Sequence, residues 1–266
     1  MYRAFFGLHR DPFERGLPVA DLFADERHDE LHARLVHLVR TRGIGVVDGE
    51  PGTGKTTGLR RLKDELHPDQ VRPLYVHDTG VNAADLYRQI ALELGIEPSW
   101  SRAMTFRAIQ QEVRRLVAER KLTVLLVLDE AHRLRPDVLA ELPLLVNFEW
   151  DSQARLALLL VGQIGLRRRL RMAALEALAQ RVTVRFTLEG LDRDGTRAYL
   201  EHRLKTAGAD RPIFTQQAYE AVFGASQGVM RSVDFLAHHA LVSAAASKQS
   251  LVDAEHVARA AKEARR

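Results

Sequence analysis

The chain has 266 residues, 46% of them hydrophobic and 28% charged, with a formal net charge of +4 and no cysteine. That length accommodates one large domain or a medium and a small one, and the composition is that of an ordinary globular protein. Disulfides and thiolate metal sites are excluded, no apolar run reaches the roughly 18 residues that span a bilayer, and the opening residues lack a signal-peptide core; a cytoplasmic location with no membrane partner is therefore expected.

Phe5-Phe6-Gly7-Leu8 and Asp11-Pro12-Phe13 form an aromatic lead-in without long periodicity. From Asp25 to Val39 the apolar positions Leu31, Leu35, Val36, Leu38 and Val39 share one face, which predicts a helix packed beside the loop that follows. Ile44 to Asp48 reads as a strand, and Gly49-Glu50-Pro51-Gly52-Thr53-Gly54-Lys55-Thr56-Thr57 then matches G-x-x-x-x-G-K-[ST] completely. Leu59, Leu62 and Leu66 continue at helical spacing, so the motif has its strand, loop and helix. Glycines there let backbone N–H groups curl round phosphates where a Cβ would clash, and the helix N-terminus adds partial positive charge. In this motif Lys55 reaches the β and γ phosphates and Thr56 holds Mg²⁺ through its hydroxyl, so a nucleotide with Mg²⁺ is the expected ligand.

Val71 to His77 is a second expected strand, and the stretch from Asn82 or Ala83 to Leu94 is a helix closed by Gly95. Ser101 to Glu119 is a helix with Phe106, Ile109, Val113, Leu116 and Val117 inward. Trp100, just before it, is expected to anchor a loop rather than to contact a ligand. Thr123 to Leu128 is an uninterrupted apolar run, the signature of a central parallel strand covered on both faces, and it ends in Asp129-Glu130. Pro136 to Val146 is helical, Leu156 to Val161 repeats the central-strand pattern and ends at Gly162-Gln163, and Val182 to Phe186 supplies one more strand. Strands alternating with helices predict a right-handed parallel α/β sheet. After Leu191 only helical patterns remain, over 194–206, 215–223, 229–246 and 253–265, so residues 192–266 are expected to form a small all-helical lid on a core of residues 1–191 that includes a lead-in of residues 1–40.

An Asp-Glu pair at the end of an apolar parallel strand stands where α/β sheets place ligand chemistry. Asp129 suits the Mg²⁺ shell, and Glu130 suits polarising the water that attacks the γ phosphate. Charge is uneven: Leu160 to Arg185 holds six arginines against Glu176, and Trp100 to Lys121 holds five arginines and Lys121 against Glu112 and Glu119. Such intervals fit a polyanion, nucleic acid being the usual one; solvated helix faces or an interface with acids on a neighbouring subunit are the alternatives. No histidine pair has metal-ligand spacing, and His132 is given no catalytic role.

Gly49 to Thr56, Asp129-Glu130-Ala131-His132, Val161-Gly162-Gln163, Gln180-Arg181-Val182 and Gly228-Val229-Met230-Arg231 together resemble an AAA+ ATPase. The lead-in Phe5-Phe6-Gly7-Leu8 with Asp11-Pro12-Phe13 is similar to that of the ExeA-type group, which includes secretion-pathway ATPases and the transposition regulators similar to TnsC, MuB and IstB. The resemblance implies a parallel-sheet P-loop AAA+ core with a helical lid, ATP and Mg²⁺ as cofactors, Gln163 as the sensor of the γ phosphate or attacking water, Arg181 as an arginine finger acting on a neighbouring subunit's nucleotide, and Arg231 as the lid arginine that senses nucleotide state. A buried amide satisfying a loop is the alternative for Gln163, and Arg185 is the fallback for Arg181. Met230 departs from the family, where proline is common, and leaves the local turn open.

An arginine that acts in trans requires a homo-oligomer, and head-to-tail contacts close into rings or run on as filaments, with a hexamer or heptamer per turn implied. Arg102, Arg107, Arg114 and Arg115 would then contact the backbone of double-stranded DNA. The reading is an ATP-dependent DNA-binding ATPase that selects targets for a transposase, with a targeting protein as a further partner. The alternatives are a secretion-pathway ATPase, disfavoured in that the chain ends at Arg266 without a membrane segment or envelope domain, and a nucleotide-gated adaptor that does not hydrolyse ATP.

Overall fold

The computed structural model describes residues 2–14, 16–148 and 154–264. Five parallel strands, β1 (Ile44–Asp48), β2 (Val71–Val76), β3 (Thr123–Leu128), β4 (Leu156–Gly162) and β5 (Val182–Thr187), pair in the order β2-β3-β4-β1-β5. The helices are α1 (Tyr2–Phe6), α2 (Glu26–Thr41), α3 (Lys55–Glu65), α4 (Ala83–Leu94), α5 (Arg102–Arg120), α6 (Pro136–Val146), α7 (Gly165–Arg169), α8 (Glu176–Arg181), α9 (Arg193–Thr206), α10 (Gln216–Ser226), α11 (Met230–Ala246) and α12 (Ala254–Ala264). The chain divides into two compact units, residues 27–49 with 58–188, and residues 1–26 with 50–57 and 189–266.

In the sheet unit every residue of β1 and β4 is buried, as their apolar runs require. Side chains alternate between two faces. Val46, Leu126, Leu128, Leu158 and Leu160 join α4, α5 and α6 in one cluster, whereas Val47, Leu125, Val127, Leu159 and Val161 join Leu31, Leu35, Leu38 and Leu62 in the other. Local chemistry sets the helix ends. The Asn82 side chain accepts from the N–H of Asp85, the Ser101 side chain accepts from that of Met104, and Gly95 closes α4 at φ 81°.

In the helical unit α9 to α12 enclose a core of their own. Tyr2, Phe6 and Leu8 are buried in that core, which corrects the expectation that the lead-in belongs with the sheet; residues 1–26 group with 189–266 instead. A polar clamp reinforces the attachment. The Arg203 guanidinium donates to the carbonyls of Pro12 (2.6 Å) and Glu14 (3.0 Å) and to the Tyr199 hydroxyl (3.2 Å), and Tyr199 in turn donates to Asp234 (2.7 Å). Asp192 and Thr215 cap α9 and α10. The expected last residue of the final helix, Arg265, lies outside the described residues.

Candidate active site

The loop that continues β1 is built round two glycines in the left-handed region, Gly52 at φ 93° and Gly54 at φ 101°. Only glycine adopts such angles without strain. The Glu50 carbonyl accepts from the N–H of Thr53 (3.3 Å), its hydroxyl (3.0 Å) and the Lys55 ammonium (2.8 Å). The loop is therefore closed on itself, with Lys55 buried over it and Thr56 exposed at the start of α3. Within the same unit the N–H of Arg231 donates to the Gly52 carbonyl (3.2 Å), and a Cβ on Gly52 would stand 2.5 Å from that of Arg231. Met230 opens α11 and is buried in the helical core, so the turn forms without the family's proline. The Arg231 side chain is exposed and has no partner among the described residues.

In the sheet unit, parallel pairing brings the ends of β3, β4 and β1 to one edge. Asp48 lies opposite Gly162, and Leu128 lies opposite Leu160, so Asp129 follows at the level of Val161 and Gln163 two residues further along β4's direction. Asp129 is buried and held at both oxygens: Oδ1 accepts from the Glu130 N–H (2.8 Å) and Oδ2 from the Tyr75 hydroxyl (2.6 Å). Burial and the Asp129 carboxylate hold the Tyr75 phenol well above its usual pKa, so it remains a donor. Glu130 takes a left-handed conformation (φ 52°, ψ 30°). For a residue other than glycine this costs on the order of 1–3 kcal/mol and persists only where neighbours enforce it. The enforcing bonds are its N–H to Asp129 and its carbonyl, which accepts from the buried Thr79 hydroxyl (2.7 Å) and the Arg133 N–H (2.8 Å). Its carboxylate is 45% exposed and lies 3.6 Å from His132 Nε2.

His132 Nδ1 faces the Gln163 N–H at 3.4 Å, and the Arg169 guanidinium donates to the carbonyls of His132 and Leu134. Gln163 is partly buried, and its side-chain amide makes no hydrogen bond among the described residues. It satisfies no loop, which leaves it available to a ligand. Asp48 is 2% exposed, with Oδ1 accepting from Thr187 (2.7 Å) and Oδ2 unpaired among the described residues. Arg181 ends α8 and reaches the Pro143 carbonyl at 3.4 Å, whereas Arg185 reaches back to that of Ala179 at 2.6 Å.

Four of the five arginines of α5, Arg102, Arg107, Arg114 and Arg115, are the expected DNA contacts, and they are not equivalent. Arg102 pairs with Glu141 (2.5 Å) and lies over the Tyr87 ring, Arg115 pairs with Glu112 (2.7 Å) and Glu119 (3.6 Å), and Arg114 lies over Phe148. Arg107 alone of the four is exposed with no partner among the described residues. Trp100, expected to anchor a loop, is 97% exposed and anchors nothing. Sequence reasoning also missed Tyr75, Thr79 and Arg169. A tyrosine and a threonine at a strand end, or an arginine in a basic run, carry no local mark of the partner they reach across the sheet.

A complete phosphate loop and, in the sheet unit, an acid pair and a polar side chain following β3 and β4 are each features of nucleotide-hydrolysing P-loop proteins with a parallel α/β fold, and residues 37–170 match the AAA domain family. The chain belongs to that family and is an AAA+ ATPase. It is 35% identical over 247 residues to General secretion pathway protein A of Aeromonas hydrophila, a match covering 92% of this chain and 45% of that protein, so the chain spans less than half the length of that relative. Among solved structures it resembles Cdc6p from Pyrobaculum aerophilum (TM-score 0.72, 22% identity, 95% of this chain and 70% of that one). It also resembles the Aeropyrum pernix ORC1 protein in complex with DNA (TM-score 0.64, 20% identity, 93% and 68%). At these identities the likeness to the solved structures is one of fold. Among the described residues no helix is long and apolar enough to cross a membrane.

Proposed function

We propose that the chain is an ExeA-type ATPase that assembles with copies of itself on double-stranded DNA when ATP is bound, disassembles on hydrolysis, and acts as a target-selection regulator that recruits or activates a transposase. Lys55 neutralises the β and γ phosphates, with the amides of Gly49 to Thr57 cradling them. Thr56 and Asp129 are hard oxygen donors of the kind Mg²⁺ takes, and each Asp129 oxygen already accepts one hydrogen bond and keeps a further lone pair. The metal, when bound, draws charge from the transferring phosphoryl group. Glu130 orients and deprotonates the water, and Gln163 donates to the γ phosphate or positions that water. Arg231 senses the nucleotide from the start of α11. Arg181 serves the neighbouring subunit's site, where an arginine finger contributes about 10³ to 10⁵ in rate.

The observation that carries hydrolysis, rather than a binding-only adaptor, is the strained Glu130, held by three hydrogen bonds. Its conformation is maintained at a cost, and its carboxylate remains exposed beside a buried Asp129. Duplex DNA as the scaffold is supported by exposed arginines with no partner among the described residues, namely Arg107, Arg168 and Arg171. Of Arg102, Arg107, Arg114 and Arg115, Arg107 is the main contact and the other three are secondary. A second reading, an ATPase of a secretion apparatus, is favoured by the likeness to General secretion pathway protein A.

Electron microscopy with duplex DNA, comparing no nucleotide, ADP and a slowly hydrolysed ATP analogue, tests the proposal. Rings or filaments on DNA only with the analogue are expected, and bare DNA in all three conditions refutes it. Mixing tests the finger. Glu130→Gln and Arg181→Ala are each expected to bind ATP and release no phosphate in multiple turnover, and mixing them restores activity at interfaces that combine an intact Glu130 with an intact Arg181.

A further inference from the structure

The carboxylate of Asp129 is fixed by two donors from different strands' ends. The Glu130 N–H belongs to the acid pair itself. The Tyr75 hydroxyl comes from β2, the edge strand, where Tyr75 lies opposite Val127 and reaches diagonally to the residue that follows Leu128. The register leaves little freedom, because the Asp129 N–H also donates to the Val76 carbonyl (2.8 Å). Tyr75 stands 41% exposed, and its ring is stacked with that of His77 at 6.3 Å between centroids. A half-exposed tyrosine needs no protein partner to satisfy its hydroxyl, since water would serve. Its bond at 2.6 Å to one particular carboxylate oxygen therefore constrains that carboxylate more than it satisfies the tyrosine.

We infer that Tyr75 is a positioning residue that holds Asp129 in the rotamer needed to receive the nucleotide's divalent cation; this rests on the assignment of Asp129 to Mg²⁺ above. With Oδ2 held by Tyr75 and Oδ1 by Glu130, the carboxylate plane is set before a metal arrives, and one lone pair on each oxygen is left for the metal or its waters. Tyr75 thereby acts as an outer-shell partner of a ligating carboxylate, a kind of group whose loss typically weakens metal binding about 10-fold or more. The adjacent Glu130 benefits from the same bond, because its N–H is held by the carboxylate that Tyr75 pins.

Binding of Mn²⁺, followed by loss of its free-ion paramagnetic resonance signal with a slowly hydrolysed ATP analogue kept below the protein concentration, tests this in the full chain. Tyr75→Phe removes only the hydroxyl and is expected to weaken Mn²⁺ about 10-fold. Nucleotide affinity in EDTA and the melting temperature stay at the wild-type values, and turnover recovers in excess Mg²⁺. Asp129→Asn is expected to weaken Mn²⁺ at least as much, with Tyr75→Phe adding nothing in that background. A Tyr75→Phe protein that binds Mn²⁺ like the wild type, with or without a lowered melting temperature, overturns the inference and leaves the ATPase reading intact. An equal Tyr75→Phe effect in the Asp129→Asn background overturns it as well. Wild-type Mn²⁺ binding by Asp129→Asn alone refutes the metal assignment and the inference with it.

Discussion

Replacing Asp234 by asparagine should make the protein more stable near neutral pH, and the gain should disappear in acid. Asp234 lies on α11, where burial pushes its carboxyl up to about 6 from an ordinary 3.8, despite the opposing pull of Arg203 and the bond from Tyr199. The folded state thus holds this proton more tightly than the unfolded chain. A raised carboxyl pKa gives a stability contribution fully present below about 3.8 and lost as pH rises through about 6. At about 1.4 kcal/mol per pH unit, the gap corresponds to about 3 kcal/mol. Asparagine carries no proton to lose, and its amide oxygen still accepts from Tyr199, while Arg203 keeps its bonds to Pro12, Glu14 and Tyr199. Urea unfolding of wild type and Asp234→Asn, followed by helical circular dichroism at intervals between pH 4 and 7.5, isolates this group, because all others cancel in the difference. The mutant's advantage should grow by about 3 kcal/mol across that range, mostly between pH 4 and 6. A difference that stays flat within about 0.5 kcal/mol would refute the reasoning.

Three further outcomes are expected. Gly228→Ala should prevent stable folding of the helical unit, since φ is +70° and the added Cβ would stand 1.8 Å from the Leu191 carbonyl oxygen; yield and thermal melting report it. Asn82→Ala should cost about 1 kcal/mol in urea unfolding by uncapping α4, whereas Trp100→Ala should stay within about 0.5 kcal/mol of wild type because that side chain is 97% exposed. In DNA binding measured against salt, Arg107→Ala should reduce the slope by about 1, and Arg115→Ala should change it less because Glu112 and Glu119 already compensate that charge.

The elements that the sequence resolved are those whose signal is local. The phosphate loop carries its glycines and lysine in nine consecutive residues, the apolar runs of β3 and β4 exceed what a half-exposed strand would show, and Asn82, Ser101 and Thr215 mark helix starts by their own chemistry. Short α7 and α8 passed unseen because five and six residues hold less than two full turns of periodicity. Position in the chain points the lead-in to the sheet, but Tyr2, Phe6 and Leu8 find their apolar partners in the helices that follow Leu191, at the far end of the chain.

Taken by itself, the sequence determined the class of fold, the nucleotide loop and the identity of the acid pair, because each depends on spacing along the chain. The strand order β2-β3-β4-β1-β5, the pairing of Arg102 with Glu141, the exposure of Trp100 and the strained, supported conformation of Glu130 were decided by tertiary structure alone. Charge along a chain counts residues, whereas the field a partner meets depends on which acids fold against them. The grip of Tyr75 on Asp129 has the same origin: 54 residues separate the two, and only the parallel register of β2 and β3 brings hydroxyl and carboxylate to 2.6 Å.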